Sequence, residues 1–279
     1  MMKWNLSTVC RYKLRMVVAL FAFCSGMAGV YILFDWHSDN KELLAFAYTI
    51  VRDNDVNGQD IERLNEHVYR TGSFAKNNHY FFLPVLGPTP IQILQEGGDC
   101  SDKSRLLAAI LDEMKIPATL VMLAPCSTCP FGHTVVEAQT TDGAIVVDPV
   151  YNISFPSSAG HYYGIRDLRD NSNILQSRLD ELILQRGLGS KVAFYRKGAD
   201  GIHYSYPVTI NWEKNFLTRF IGGFLAQYMN EPSLIYRPRW LEDPKLLIAG
   251  VLGTISIFSF ILLLIIVLLP RFMITSKEY

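Results

Sequence analysis

Three side chains in this sequence are of the types needed for nucleophilic catalysis. Cys100 stands in Gly97-Gly98-Asp99-Cys100-Ser101-Asp102, ahead of a run in which Leu106, Leu107, Ile110, Leu111 and Met114 share one helical face. Ser101 and Asp102 suit a first helical turn, so the thiol is predicted at a helix N-terminus, where the dipole favours thiolate. His133 opens the run His133-Thr134-Val135-Val136-Glu137, and Asp148 closes Ile145-Val146-Val147-Asp148. A nucleophile, a base and a carboxylate to orient the base are the parts of a cysteine hydrolase or acyl transferase. Taken singly, each has a plainer reading: a cysteine at a helix start is usually a small buried hydrophobe, and a lone histidine a satisfied or solvated side chain.

The elements around them must bring the three together. Asp142-Gly143, between two β-branched runs, is a hairpin turn signal. A two-residue turn there pairs residues whose numbers add to 285, such as Thr140 with Ile145. His133 and Asp148 then share a sheet face, because facing residues alternate with period two. His133 would, however, lie opposite Asn152, two same-face steps beyond Asp148. A loop around Thr140 and Thr141, or a bulge, would have to slide the register. Gly98 is expected to supply unusual backbone angles that aim the cysteine.

The string Gly98-Asp99-Cys100, Leu106-Leu107-Ala108-Ala109-Ile110-Leu111, Ile116-Pro117-Ala118, Gly132-His133-Thr134-Val135-Val136-Glu137 and Val147-Asp148-Pro149 resembles the transglutaminase-like superfamily over about residues 85–155. These are cysteine enzymes and relatives with a papain-like α+β core, a cysteine-bearing helix packed on an antiparallel sheet that carries histidine and aspartate. The resemblance implies Cys100 as nucleophile, His133 as general base and Asp148 as the residue that orients it, with protein or peptide as substrate. It names a chemistry and not a particular substrate. Superfamily members that keep the fold and lose activity exist, so two classes stand: a cysteine acyltransferase or amide/peptide hydrolase, and a silent module acting as a binding or assembly component of an envelope system.

Two stretches fix where this happens. Residues 16–34 and 246–269 contain no charge, and each is long enough to cross about 30 Å of hydrocarbon as a helix. The first is preceded by Lys3, Arg11, Lys13 and Arg15, and Asp35-Trp36-His37 after it is a poor cleavage site, so an anchor is expected over a signal peptide. The basic flank predicts residues 1–15 in the cytoplasm. Arg271 and Lys277 agree for a tail at 270–279, whereas Arg237, Arg239 and Lys245 on the outer flank weaken the charge asymmetry. A domain at residues 35–245 is then extracytoplasmic, and periplasmic in a Gram-negative cell. This is the plan of a bacterial-type membrane-anchored member, whose partners are the lipid bilayer and, in the alternative class, envelope proteins.

Composition narrows the rest. With 26 basic and 26 acidic residues in 279, the chain carries no net charge to recommend nucleic acid or another polyanion. No cofactor motif is visible. Cys126-Ser127-Thr128-Cys129 is read first as a structural disulfide stiffening the loop into His133, and otherwise as reduced bystanders. A redox C-x-x-C site lacks its thioredoxin-like context, and zinc would need two more ligands than this pair, with only His161 and His203 on paper. Cys10 and Cys24 fall on the cytoplasmic side and within the first span, inert unless Cys10 is lipidated.

Outward from the core, residues 41–52 and 61–70 read as helices joined by the polar connector 53–58, which lacks EF-hand spacing. Residues 91–95 form a short helical turn after Gly87-Pro88-Thr89-Pro90. Gly160-His161-Tyr162-Tyr163-Gly164 is by default a packed surface loop, and alternatively lines a cleft. Residues 168–186 read as one amphipathic helix, 192–195 and 202–206 as a hairpin, and 215–228 as an amphipathic helix lying on the membrane or buried against the domain.

Overall fold

The computed structural model describes residues 6–51, 56–124, 126, 129–197 and 204–275. Residues 53–55 of the connector predicted at 53–58, and residues 198–203 within the hairpin predicted over 192–206, lie outside them. The chain divides into two compact units, Met1–Ser38 with Asp243–Tyr279, and Asp39–Glu242.

Helix α1 runs without interruption over Leu6–Ile50, where two separate helices are expected from the hydropathy pattern. Residues 35–40 contain neither glycine nor proline, so a change from apolar to polar side chains gives the backbone no reason to break. Helix α2, Gly58–Arg70, starts at a capping box in which Asn57 accepts from the amides of Gln59 and Asp60 while Asp60 accepts from that of Asn57. Thr89 and Gln92 form the same device for α3, Pro90–Glu96.

The centre of the larger unit is helix α4, Cys100–Glu113, and an antiparallel sheet. The strands are β1 (Ala118–Leu123), β2 (His133–Thr140), β3 (Gly143–Asp148) and β4 (Ile153–Ser154). They follow in order β4-β3-β2-β1-β5, the edge strand β5 being Pro207–Val208. Alternation splits the sheet between two cores. Leu120, Val136, Ala138 and Val147 join Leu106, Leu107, Ile110 and Leu111 of α4, with residues of α1, α2 and α3. Val121, Leu123, Val135 and Val146 face the other way, onto helices α5 (Ile165–Asp170), α6 (Ser172–Arg186) and α7 (Lys191–Lys197).

Two elements of the larger unit differ from the sequence reading, and the loop at 160–164 agrees with it. The helix predicted at 168–186 is two helices, because Asn171 leaves helical geometry (φ −137°, ψ 90°) and caps α6 through the Asn173 amide. The strand predicted at 192–195 is helical, as α7. Three β-prone residues in a run of four are too few to set an element whose Val192 and Tyr195 bury onto α6 and the sheet. The loop at 160–164 is packed: the Tyr162 ring lies over Gly58, where a Cβ would come within 2.0 Å of it. Helix α8, Phe216–Leu225, follows β5.

In the smaller unit, helix α9 covers Pro244–Thr275. Ser256 donates to the carbonyl of Ala22 at 2.8 Å, and Gly26 and Gly29 leave room for Ser256 and for Ala249 and Leu252. Small residues at the contact are how helices approach where water is absent. Trp36 donates to Asp243 at 2.9 Å, and Lys245 pairs with Asp35 at 2.6 Å. Both helices are long and apolar enough to cross a membrane.

Helix α4 is tied down by Lys103. Its buried ammonium donates to the carbonyls of Val68, Tyr69 and Thr71 at 2.8–3.0 Å, closing the C-terminal end of α2. Lys103→Met keeps the stem and strands three carbonyls, so it should lower unfolding stability by about 1–3 kcal/mol. Denaturant titration of the full chain in detergent measures this, and a midpoint equal to that of the parent protein would refute the tie.

Candidate active site

Cys100 is the first residue of α4. Asp99 caps the helix, accepting from the amides of Ser101 and Asp102 at 2.9 and 3.1 Å, and Asp102 accepts from the Asp99 amide. The Asp99-x-x-Asp102 spacing is the sequence signal for this box. The box uses the amides of Ser101 and Asp102 and leaves that of Cys100 outside its bonds.

The loop before the cap is shaped by glycine, though not as expected. The left-handed residue is Gly97, at φ 88°, beside Ser73. Gly98 is required for space instead, since a Cβ there would stand 2.4 Å from that of Asp102.

His133 begins β2 opposite Leu123, and Asp148 ends β3, so both lie at one end of the sheet. The register differs from the one predicted on Asp142-Gly143. Val136 pairs with Val147 and Thr140 with Gly143, so the turn centres on Thr141 and Asp142. The Thr140 hydroxyl accepts from the Asp142 amide and donates to the Gly143 carbonyl, while Gly143 takes φ 115° as first residue of the strand. Extending this register sets His133 opposite Val150, one same-face step from Asp148 where the Asp142-Gly143 turn gave two. The distance problem disappears without a bulge. His133 Nε2 and Asp148 Oδ2 are 2.6 Å apart, with both side chains buried.

The remaining oxygen, Asp148 Oδ1, accepts from the amides of Val150 and Tyr151 at 2.8 and 3.1 Å. With Nε2 engaged by the carboxylate, Nδ1 is the nitrogen left for Cys100, whose side chain is the imidazole's other hydrogen-bonding and charge partner. The thiol is half-buried and free. Burial alone would push the His133 pKa down. The charge and hydrogen bond of Asp148, joined by those of Cys100, outweigh it and raise the value from 6.5 to about 10.

Two aromatic residues of the site carry no motif. Tyr151 and Tyr195 stand edge-on to the imidazole, with centroids 5.5 and 6.0 Å from it, and 4.5 Å from each other. Tyr151 follows Asp148 by three positions and could have been found as a near neighbour. Tyr195 lies on α7, which reads as strand in sequence, and no local signal brings it to His133.

A cleft of about 1,100 Å³ opens beside the edge strand, with Ala124, Phe131, Tyr206 and Trp212 among its walls. Cys126 and Cys129, bonded to each other with their Cα atoms 5.1 Å apart, also line it. Ala124 follows Leu123, the partner of His133, and Phe131 precedes His133 by two residues. His161 is exposed in its loop, and among the described residues no group of three or more His, Cys, Asp or Glu could hold a metal ion.

No family model and no curated protein matches the chain. Among solved structures, a crystal structure from Cytophaga hutchinsonii, described as a "putative cysteine protease", is similar at 15% identity and a TM-score of 0.33. The similarity covers 44% of this chain and 40% of that one, so the chain spans about two fifths of that neighbour's length. At that level the likeness defines neither a family nor an activity, and the site stands on its own geometry.

The raised pKa of His133 has a consequence for stability. A group whose folded value exceeds its unfolded value stabilises the fold fully below the unfolded value, near 6.5, and loses that contribution as pH climbs through the folded value, about 10. The stability difference between the parent protein and His133→Gln should therefore shrink from pH 6.5 towards pH 10. A difference that grows over this range would contradict the pairing.

Proposed function

We propose that the chain is a membrane-anchored cysteine enzyme, an acyltransferase or an amide or peptide hydrolase, that works through a thioester on Cys100. The observation that carries this reading is the buried His133–Asp148 pair, at 2.6 Å, with Cys100 at a helix N-terminus as the other group that acts on the imidazole. An imidazolium held by Asp148 on one side stabilises a thiolate on the other. That arrangement is costly to build into a core merely for packing, since buried charges must be fully paired.

In this reaction the Cys100 sulfur attacks the carbonyl carbon of a carboxamide or peptide. The oxyanion that develops takes a hydrogen bond from the Cys100 amide, the first-turn donor that the Asp99 cap leaves over. His133 passes its proton from Nδ1 to the departing nitrogen, the C–N bond breaks, and a thioester remains. Water or an amine then gives its proton to His133 and attacks the thioester, releasing acid or a new amide and restoring the thiolate. The cleft beside β5 is the recess in which the substrate chain would lie, with Cys126 and Cys129 as part of its wall.

Iodoacetamide measures the nucleophile directly. Cys100 should alkylate faster than the other free cysteines near neutral pH, and more slowly in His133→Ala. Equal rates at all sites would leave a silent transglutaminase-like module acting as an assembly component. Asp148→Asn should stay folded, because its oxygen still accepts from Val150 and Tyr151, yet lose most activity. Its amide would donate to Nε2, forcing the ring proton onto Nδ1, where the base is needed, and it could not balance an imidazolium.

The proposed topology has both termini in the cytoplasm and the domain outside, following the basic residues before the first span. In a background without reactive cysteines, Ser157→Cys should label with an impermeant maleimide in intact cells, and Ser276→Cys only after lysis. Labelling of position 276 in intact cells would exclude this arrangement.

A further inference from the structure

Helix α8 carries an aromatic stripe that neither core covers. Phe216, Phe220 and Phe224 occupy successive i+4 positions, and Tyr228 continues the spacing past the helix end. All four are exposed, Phe216 to 83% and Phe220 to 67%, and Leu217 and Ile221 widen the stripe. The opposite side of the helix is fixed. Gly222 is buried against Trp212, where a Cβ would come within 2.6 Å of the tryptophan side chain, and the indole donates to the Pro232 carbonyl at 2.8 Å. Asn215 caps the start through the Thr218 amide. The stripe is thus held outward by packing on its other side, so burial against the domain, one of the two arrangements the amphipathic pattern allows, does not occur.

Its chemistry identifies the occupant. The helix contains no acidic residue and one cation, Arg219, whose charge is answered by Glu213 at 2.8 Å. A surface of phenylalanine with tyrosine at one end suits the headgroup–acyl boundary, where aromatic rings are enriched. The same chain supplies two helices of bilayer length, one on either side of the domain in sequence, and α9 begins at Pro244, not twenty residues beyond Leu225. We infer that α8 is an interfacial helix, with Phe216, Phe220, Phe224 and Tyr228 seated in the surface of the bilayer that α1 and α9 cross. The inference rests on the membrane-anchored part of the functional reading and is independent of the chemistry at Cys100. It makes the lipid surface a third attachment of the domain, which removes the freedom that two tethers alone would leave.

Site-specific photocrosslinking in the full chain, in its native membrane, tests this. Benzoylphenylalanine is placed at Phe216 or Phe220, at Phe258 of α9 as the reference for a spanning helix, and at Asn173 as an exposed reference within the domain. Lipid adducts, read by mass spectrometry, should form at 216 and 220 in yields comparable to 258 and well above 173. Adducts at 258 but not at 216 or 220 would overturn the interfacial helix while leaving the spans intact. Crosslinks from 216 or 220 to a second copy or to another protein would overturn it in favour of a protein interface. Lipid adducts at none of these positions would remove the membrane reading and this inference together.

Discussion

Everything at the candidate site depends on the burial of one carboxylate. Asp148 is wholly inaccessible to solvent, and an ionised carboxylate there is tolerable only with its oxygens fully engaged. Two backbone amides bind one oxygen and His133 binds the other. The amides come from Val150 and Tyr151, so the chain must reverse immediately after Asp148, and the reversal brings Ile153 back beside Asp148 as β4. The side chain that orients the imidazole therefore also folds the end of its own strand. Removing the carboxylate disturbs both roles, whereas the isosteric amide separates them.

The histidine and the cysteine reach each other from opposite sides of the sheet. Val135 and Val146, which share parity with His133 and Asp148, pack into the core formed with α5, α6 and α7. The side chains of α4 pack into the other core. The thiol can meet the ring only because the first turn of α4 comes level with the end of β2, and its position there is fixed along the helix. Ser104, one turn in, donates to the carbonyl of Thr134 at 2.9 Å, and Lys103 holds α2. At the far end, Arg239 pairs with Asp112 and Glu113 and donates to Asn40. For the proposed chemistry these restraints would matter, since a misplacement of about 1 Å between a nucleophile and its base can cost about 100-fold in rate.

The parts legible in the sequence are those set by local periodicity. The apolar face of α4, the strands around His133 and Asp148 and the two long apolar helices all announce themselves in a repeat of 3.6 or 2 residues or in an unbroken apolar run. The register of the hairpin does not. Asp142-Gly143 is a strong turn signal, yet Thr140 closes a different turn with its hydroxyl, and two residues of slip decide whether His133 can touch Asp148. Tyr195 is invisible for another reason: its segment is β-prone, and only packing against α6 and the sheet makes it helical. The unbroken α1 shows the converse, since a change of composition at Asp35 marks a change of surroundings and not an end of helix.

The aromatic residues beside the imidazole bear on why the pair should be useful. Edge-on contacts from Tyr151 and Tyr195 restrict rotation of the ring and exclude water from its faces. Excluding water strengthens the charges of Asp148 and Cys100 on the imidazole, the same charges that raise its pKa against the opposing effect of burial. An imidazolium so held is a poor base in the resting state and a good electrostatic partner for thiolate. In the proposed reaction it would become a base only after the sulfur has attacked a carbonyl and the proton has gone to the leaving nitrogen. For the proposed reaction, this charge distribution favours attack by the Cys100 sulfur first and deprotonation of water or amine second.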